Sequence, residues 1–174
     1  MSKPILNIDE LEPVSLETLS KQQGGHPPPP RFGGGMARIA SQLGAQKLGY
    51  SLIVVPPGKR AFPFHSHRVN EEMFFVIEGS GEVRIGAEAW PIRTGDVICC
   101  PPGGPETAHQ IVNTGGTTLR YLAVSSKETP EVCEYPDSGK FAVMHVAGMD
   151  ANGRPQGFRH VGRPDDACDY WDGE

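Results

Sequence analysis

Short apolar runs that alternate with Gly and Pro turns constrain this chain to a fold of many short β-strands. The 174 residues include 22 Gly and 17 Pro, and the runs between them are rich in Val, Ile, Phe and Tyr, which favour strands. Strands recurring at hairpin spacing are typical of a barrel or a two-sheet sandwich. The predicted strands cover residues 36–41, 47–55, 62–67, 72–77, 82–85, 89–92, 97–101, 109–113, 118–125 and 140–147.

The regions on either side of this core differ from it in composition. Residues 1–35 predict an N-terminal arm, in which a short helix over 15–22 is capped by Ser15 and followed by a Pro- and Gly-rich linker at 24–35. Residues 36–147 form the predicted barrel, and residues 148–174 predict an irregular acidic C-terminal tail. Because the arm has apolar residues without a core of its own, we expect a homodimer in which the arm or first strand packs on a partner barrel.

Composition and charge exclude several classes of partner. The net charge is −5 and Lys and Arg form no cluster, so no nucleic-acid partner is expected. No apolar run approaches the ~18 residues of a membrane span, and no basic segment followed by an apolar one predicts a signal peptide. The four cysteines lack metal-site or redox spacing, which favours free thiols and a cytoplasmic location.

Two histidines followed by a glutamate are the main candidates for chemistry. His65 and His67 share one face of a strand, and Glu72 opens the next apolar run. An antiparallel hairpin between these two strands would bring Glu72 beside the imidazoles. Glu71 is the competing carboxylate, since strand alternation admits only one of the two to the interior. Imidazoles and a carboxylate are suitable ligands for a divalent transition metal.

A third histidine, which follows a strand and a Gly/Pro loop, completes two ordered motifs that resemble those of cupins. The first motif is matched by Gly58, His65, His67, Glu72 and Gly79. The second motif is matched by Gly95, Pro101, Gly103, His109 and Asn113. One departure is that five residues separate Gly103 from His109, where the family has two, a difference in loop length that costs little. The resemblance covers roughly residues 45 to 125.

The resemblance implies an all-β fold, a cupin-type double-stranded β-helix or jelly-roll barrel. It implies one divalent transition metal per chain, Mn, Fe, Co, Ni, Cu or Zn, held by His65, His67, Glu72 and His109. Its small-molecule substrate would be oxygenated, such as a sugar or a carboxylic acid, and the reaction an isomerisation, a decarboxylation or a dioxygenation. The alternative is a non-catalytic cupin that binds or senses a small ligand.

Burial of four such polar groups without a common partner would be costly, which favours a metal site over core polar residues. Around that site, strand parity predicts apolar walls, and a few polar residues could contact a substrate. The possible pocket residues are Tyr50, Arg60, Phe62, Phe64, Phe74, Arg84 and Gln110. His26, in the linker, is expected to be exposed to solvent.

Overall fold

A computed structural model describes residues 4–149 and 155–174 of the chain and shows an all-β fold. The strands in these ranges are β1 (Val14–Ser15), β2 (Gly35–Arg38), β3 (Leu48–Val55), β4 (Ser66–His67), β5 (Glu72–Glu78), β6 (Ser80–Ile85), β7 (Glu88–Arg93), β8 (Val97–Cys100), β9 (His109–Val112), β10 (Leu119–Ser126), β11 (Glu131–Tyr135), β12 (Lys140–Met149) and β13 (Pro155–Gly162). One α-helix, α1 (Leu16–Gln22), and two 3-10 turns, Ile8–Glu10 and Pro164–Asp166, complete the described elements.

Antiparallel pairing arranges these strands in three sheets. The largest has the order β1-β2-β3-β10-β5-β8, a second has the order β13-β12-β11-β4, and a third has the order β7-β6-β9. The main apolar core receives side chains from the largest sheet and from the β7-β6-β9 sheet, so it lies between them. This arrangement confirms the predicted jelly-roll barrel.

Strand β5 shows the alternation that the sequence predicts. Phe74 and Val76 are buried in the core, whereas Phe75 between them is 39% exposed. Strand β3 differs because it is buried on both faces: Ile53 and Val55 enter the main core, and Leu52 enters a second apolar cluster. Something must therefore cover the outer face of β3.

The N-terminal arm provides that cover. Leu6, Ile8 and Leu11 pack on the second cluster, and β1 pairs with β2. The predicted helix is confirmed as α1, where the Ser15 side chain accepts a hydrogen bond from Thr18 N–H at 3.1 Å. None of the helices in the described ranges is long and apolar enough to cross a membrane.

Three strands were not predicted: the two-residue β1, and β11 and β13, which both belong to the β13-β12-β11-β4 sheet. Strand β11 lies between the predicted strands, and β13 lies within residues 148–174, so an irregular tail was wrong for residues 155–162. Strand β13 contains Pro, Gly and polar residues and gains its order by pairing with β12 over eight register positions. Tertiary pairing here overrides a weak local preference.

The turn between β5 and β6 depends on Gly79. Its φ is +85°, and a Cβ there would lie 2.5 Å from the Thr118 carbonyl oxygen and 3.0 Å from the Leu119 Cα. We expect Gly79→Ala to destabilise the fold by about 2 kcal/mol or more, because it adds left-handed strain to a backbone clash. Gly116→Ala is the matched control, since a Cβ at Gly116 meets nothing within 4 Å. Urea unfolding measures the loss of stability in each variant. Equal losses of unfolding free energy in the two variants would contradict the prediction.

The homodimer remains a prediction, and its structural basis has changed. The arm packs on its own barrel, so it does not need a partner to bury its apolar residues. The open edge at β8 remains, where Val97 is 67% exposed. Sedimentation analysis at micromolar concentration is expected to give a dimer, and a monomer there would refute the prediction.

Candidate metal centre

A single antiparallel bridge brings the two sequence motifs together. His65 N–H donates to the His109 carbonyl at 3.2 Å, and His109 N–H donates to the His65 carbonyl at 2.8 Å. Directly opposed residues project their side chains to the same side, and the two imidazole centroids lie 4.7 Å apart. The ring of His67, two residues further along, lies 5.1 Å from that of His65.

The long loop before His109 does not displace it from this position. Gly103 N–H donates to the His67 carbonyl at 2.8 Å, which fixes the start of the loop. The additional residues form a turn in which Thr107 N–H donates to the Gly104 carbonyl at 3.1 Å. The extra length is therefore absorbed before the chain reaches His109.

Glu72 reaches the three imidazoles with one carboxylate oxygen. Its Oε2 lies 2.8 Å from Nε2 of His109, 3.5 Å from Nε2 of His67 and 3.8 Å from Nε2 of His65. Glu71 is exposed, so the structure selects Glu72 over its neighbour, as strand parity predicts. The ligand atoms of His65, His67 and Glu72 all lie within 4.8 Å of one another, and His109 joins them through its contact with Glu72.

The predicted hairpin that would bring them together was wrong. Strand β4 pairs with β11, whereas β5 pairs with β10 and β8. The polar segment 68–71 is a corner between two sheets. Glu72 therefore reaches the imidazoles across the interior of the barrel, and the histidines come from outside its sheet, His67 from β4 and His109 from β9.

Backbone carbonyls fix which nitrogen of two imidazoles faces Glu72. Nδ1 of His65 lies 2.8 Å from the Pro63 carbonyl, and Nδ1 of His109 lies 3.2 Å from the Thr107 carbonyl. A carbonyl oxygen can only accept, so both Nδ1 atoms carry the proton. This is how metal-binding histidines are usually oriented, with Nε2 directed at the ion.

The donor set fits a divalent cation. In addition to the convergence of three Nε2 atoms on Glu72 Oε2, the His67 Nε2 atom is buried and has no hydrogen-bond partner in the described chain. A buried polar atom without a partner is costly, and a cation among these atoms would satisfy all of them together.

The electrostatics of the site favour one positive charge at its centre. Burial and the neighbouring His109 lower the pKa of His65 to about 4, so it is neutral at pH 7. Burial acts to lower the pKa of His67 as well, but the contact with Cys133 and the Glu72 carboxylate outweigh it and raise this pKa to about 10. Burial acts to raise the pKa of Glu72, but the close imidazoles of His109 and His67 outweigh it and hold this pKa well below its usual range. The ionised Glu72 therefore attracts a cation, either a proton on His67 or a metal ion.

A second buried carboxylate, Glu131, holds the corner that follows His67. Its Oε1 accepts from the N–H groups of Arg68 at 3.0 Å, Val69 at 3.2 Å and Val132 at 2.8 Å. Its Oε2 accepts from Asn70 N–H at 2.8 Å and from the Asn70 side chain. The carboxylate is thus the common acceptor for four backbone donors.

Glu131 also contacts His67, at Nδ1, the ring nitrogen that faces away from Glu72. Nδ1 of His67 lies 3.5 Å from Glu131 Oε2 and 3.3 Å from the Sγ atom of Cys133. Strand β11 therefore supports His67, whereas backbone carbonyls support the other two histidines.

We expect Glu131→Ala to destabilise the protein by about 3 kcal/mol or more, because several buried donors lose an ionised acceptor. Glu128→Ala is the control, since the Glu128 side chain is exposed and only its backbone bonds to Asn70. Thermal and urea unfolding of the two variants test the difference. A loss below about 0.5 kcal/mol for Glu131→Ala, the usual range for surface changes, would contradict the assignment.

A cavity of about 330 Å³ opens beside the three residues His65, His67 and Glu72. His109 is 3% exposed and lies behind Phe74, with the two rings 5.5 Å apart. The cavity is enclosed by the large sheet on one side and by β11, β12 and β13 on the other. Its other walls are Met36, Gly49, Tyr50, Ser51, Ile53, Phe62, Phe74, Ala123, Val124, Ser125, Cys133, Tyr135, Met144 and Arg159.

The predicted pocket residues divide into two groups. Tyr50, Phe62 and Phe74 line the cavity, whereas Arg60, Phe64, Arg84 and Gln110 lie outside its lining. The Arg84 guanidinium lies 3.6 Å from the centroid of the Phe64 ring and pairs with Asp137. The Gln110 side chain donates to the Phe62 carbonyl at 2.7 Å and accepts from Arg60. Strand β4 begins only at Ser66, so parity counted from residue 62 does not hold.

Sequence reasoning missed the cavity residues that come from β11, β12 and β13, among them Cys133, Tyr135, Met144 and Arg159. Strand β11 has an inverted pattern, because Glu131 and Cys133 are buried while Val132 between them is only partly buried. Apolar alternation therefore gives no indication of which face of β11 is internal.

Comparison with known proteins agrees with this architecture. The model of the cupin domain family (Cupin_2) matches residues 51–125. The oxalate-binding protein of Thermotoga maritima is 33% identical over 116 residues, which are 64% of this chain and 86% of that protein. The chain therefore belongs to the cupin family, as its motifs indicated.

Two further relatives differ in how much of their length is matched. An uncharacterized protein of Methanocaldococcus jannaschii is 33% identical over 85 residues, so the match covers 47% of this chain and 65% of that protein. A solved structure from Acidithiobacillus ferrooxidans, provisionally named a sugar phosphate isomerase, has a TM-score of 0.67 at 25% identity. It covers 80% of this chain and 81% of the other.

Proposed function

We propose that this cupin binds one divalent transition metal through His65, His67, Glu72 and His109. The observation that supports this most directly is the approach of three Nε2 atoms to one carboxylate oxygen at 2.8, 3.5 and 3.8 Å. The unpartnered Nε2 of His67 supports it independently. Imidazole and carboxylate ligands accept Mn, Fe, Co, Ni, Cu or Zn, so the donor set leaves the metal open.

We further propose that the protein is an enzyme whose substrate is a small oxygenated molecule bound in the adjacent cavity. A metal with open coordination positions acts as a Lewis acid on a bound oxygen atom. The chain itself supplies an apolar enclosure: Ile53, Phe62 and Phe74 line the cavity beside the ligands. These walls exclude water and lower the local dielectric, which strengthens every polar interaction with the substrate.

Isomerisation of a sugar derivative is the first reaction to test, because the Acidithiobacillus ferrooxidans protein bears that provisional name. Non-catalytic ligand binding is the second candidate function, since the Thermotoga maritima relative is named for binding oxalate. A screen of metal-loaded protein against sugar phosphates and carboxylic acids separates the two. Turnover that depends on the metal supports the enzyme, whereas saturable oxalate binding without turnover of any compound supports the binder.

The metal assignment predicts about one divalent ion per chain in purified protein, since His65, His67, Glu72 and His109 would together hold one ion. His67→Ala and His109→Ala should lose most of that metal. His26→Ala is the matched control, because His26 is exposed in the linker, away from the site. Inductively coupled plasma mass spectrometry after gel filtration measures the content. Full metal content in the double variant His67→Ala/His109→Ala would overturn the assignment.

Metal binding should also stabilise the folded protein. Free metal at one hundred times its dissociation constant adds about 2.7 kcal/mol, which for a chain of this size raises Tm by roughly 5–10 °C. Glu72→Gln should show a smaller rise, because a neutral amide is a poorer ligand for a cation. Differential scanning calorimetry with metal or with chelator provides the test. Identical melting curves under both conditions would show that the ion and the fold are not coupled.

A further inference from the structure

The cavity beside the proposed metal ligands has an uneven distribution of charge. Among the described residues that line it, Arg159 is the one Lys or Arg, and Glu72 is the one carboxylate. Most of the remaining wall is apolar, including Met36, Ile53 and Phe62. Arg159 is itself exposed, so an anionic partner can reach its guanidinium from solvent.

The register of the sheet directs Arg159 toward the site. Arg159 in β13 is paired with Met144 in β12, and Met144 is paired with Glu131 in β11. Residues that are directly opposed on neighbouring strands project to the same face. The row Arg159–Met144–Glu131 therefore lies on the face of the sheet that lines the cavity, where Glu131 contacts His67 and Met144 and Arg159 line the cavity.

A hydroxyl group lies on the same wall. Tyr135 lines the cavity, and its ring is stacked on that of His65 with the centroids 6.2 Å apart. Burial raises the pKa of Tyr135, so its hydroxyl keeps its proton at neutral pH and can donate a hydrogen bond. A ligand that reaches the histidines thus passes a neutral donor and a cationic donor.

The balance of charge identifies what such a ligand must carry. A divalent ion with Glu72 as its one anionic ligand leaves a net charge of about +1, and the guanidinium adds a second positive charge. A neutral ligand would pair with neither of these charges, whereas an anionic ligand is attracted by both. A guanidinium also offers a planar pair of donors that matches a carboxylate or a phosphate.

We propose that Arg159 is a specificity-determining residue that binds an anionic group, a carboxylate or a phosphate, on the molecule whose other oxygen atoms face His65, His67 and Glu72. This inference rests on the proposed function and narrows its substrate to oxygenated small molecules that bear a negative charge. The 330 Å³ of the cavity limits that molecule to a small one.

Isothermal titration calorimetry of the metal-loaded protein tests this. The probes are oxalate as the dicarboxylate, 2-phosphoglycolate as the phosphate, and oxamide as a neutral analogue of oxalate. We expect at least one anion to bind and oxamide to bind far more weakly. Arg159→Ala should weaken anion binding by about 10- to 100-fold, the value of a lost charged hydrogen bond. The anion that binds more tightly identifies whether Arg159 donates preferentially to a carboxylate or to a phosphate.

Two control variants sharpen the result. Arg93→Ala removes the same charge from an exposed position in β7 and should bind the anions like the wild type. Arg159→Lys keeps the charge but loses the planar pair of donors, so its affinity should lie between those of the wild type and Arg159→Ala. Arg159 is exposed in the unliganded protein, so these variants should melt like the wild type.

Metal content, measured on every variant, separates this inference from the metal assignment. If Arg159→Ala keeps its metal and binds the anions as tightly as the wild type, the inference is overturned. It is equally overturned if neither anion binds at millimolar concentration or if oxamide binds as well as oxalate. If wild-type protein holds no metal, the metal assignment fails, and the same titrations on that protein still decide whether Arg159 binds an anion.

Discussion

The convergence of four polar side chains inside an apolar barrel is the constraint on which the rest of the site depends. Glu72 comes from one sheet and the histidines from the opposite side, so the two halves of the barrel meet at this point. Each group would be costly to bury alone, and together they need a shared positive charge. The backbone bridge between His65 and His109 fixes two of the imidazoles. Glu72 is the first residue of β5, and the pairing of that strand fixes the carboxylate. A small shift of one side of the barrel relative to the other would therefore separate Glu72 from the histidines.

Glu131 shows a second way of stabilising a charge in the interior. Its carboxylate is 4% exposed, and its partners are backbone N–H groups at the corner between two sheets. Hydrogen bonds to an ionised acceptor are about twice as strong as neutral ones, so the corner gains stability from a group that would otherwise be unfavourable there. Because this corner follows His67 directly, the stability of the fold and the orientation of a candidate ligand depend on the same residue.

The sequence predicts local features well and pairings between distant strands poorly, for physical reasons. The side chain that faces inward in β5 follows from alternation alone, so Glu72 and Phe74 could be placed correctly. The helix cap at Ser15 is equally local. The partner of β4 could not be predicted in this way, because β11 is far away in sequence and carries Glu131 and Cys133 on its buried face. Parity could not place Phe64, because the chain before Ser66 is not a regular strand.

The segment that resembles the cupin family contains the candidate metal ligands but only part of the cavity wall. All four candidate metal ligands lie within residues 51–125, the part of the chain that the cupin family model matches. Tyr135, Met144 and Arg159 line the same cavity but lie beyond that segment. Membership of the family therefore bears on the metal centre, whereas the wall opposite the large sheet is built from strands outside the matched segment. A small molecule bound in the cavity would contact that wall as well as the candidate metal ligands.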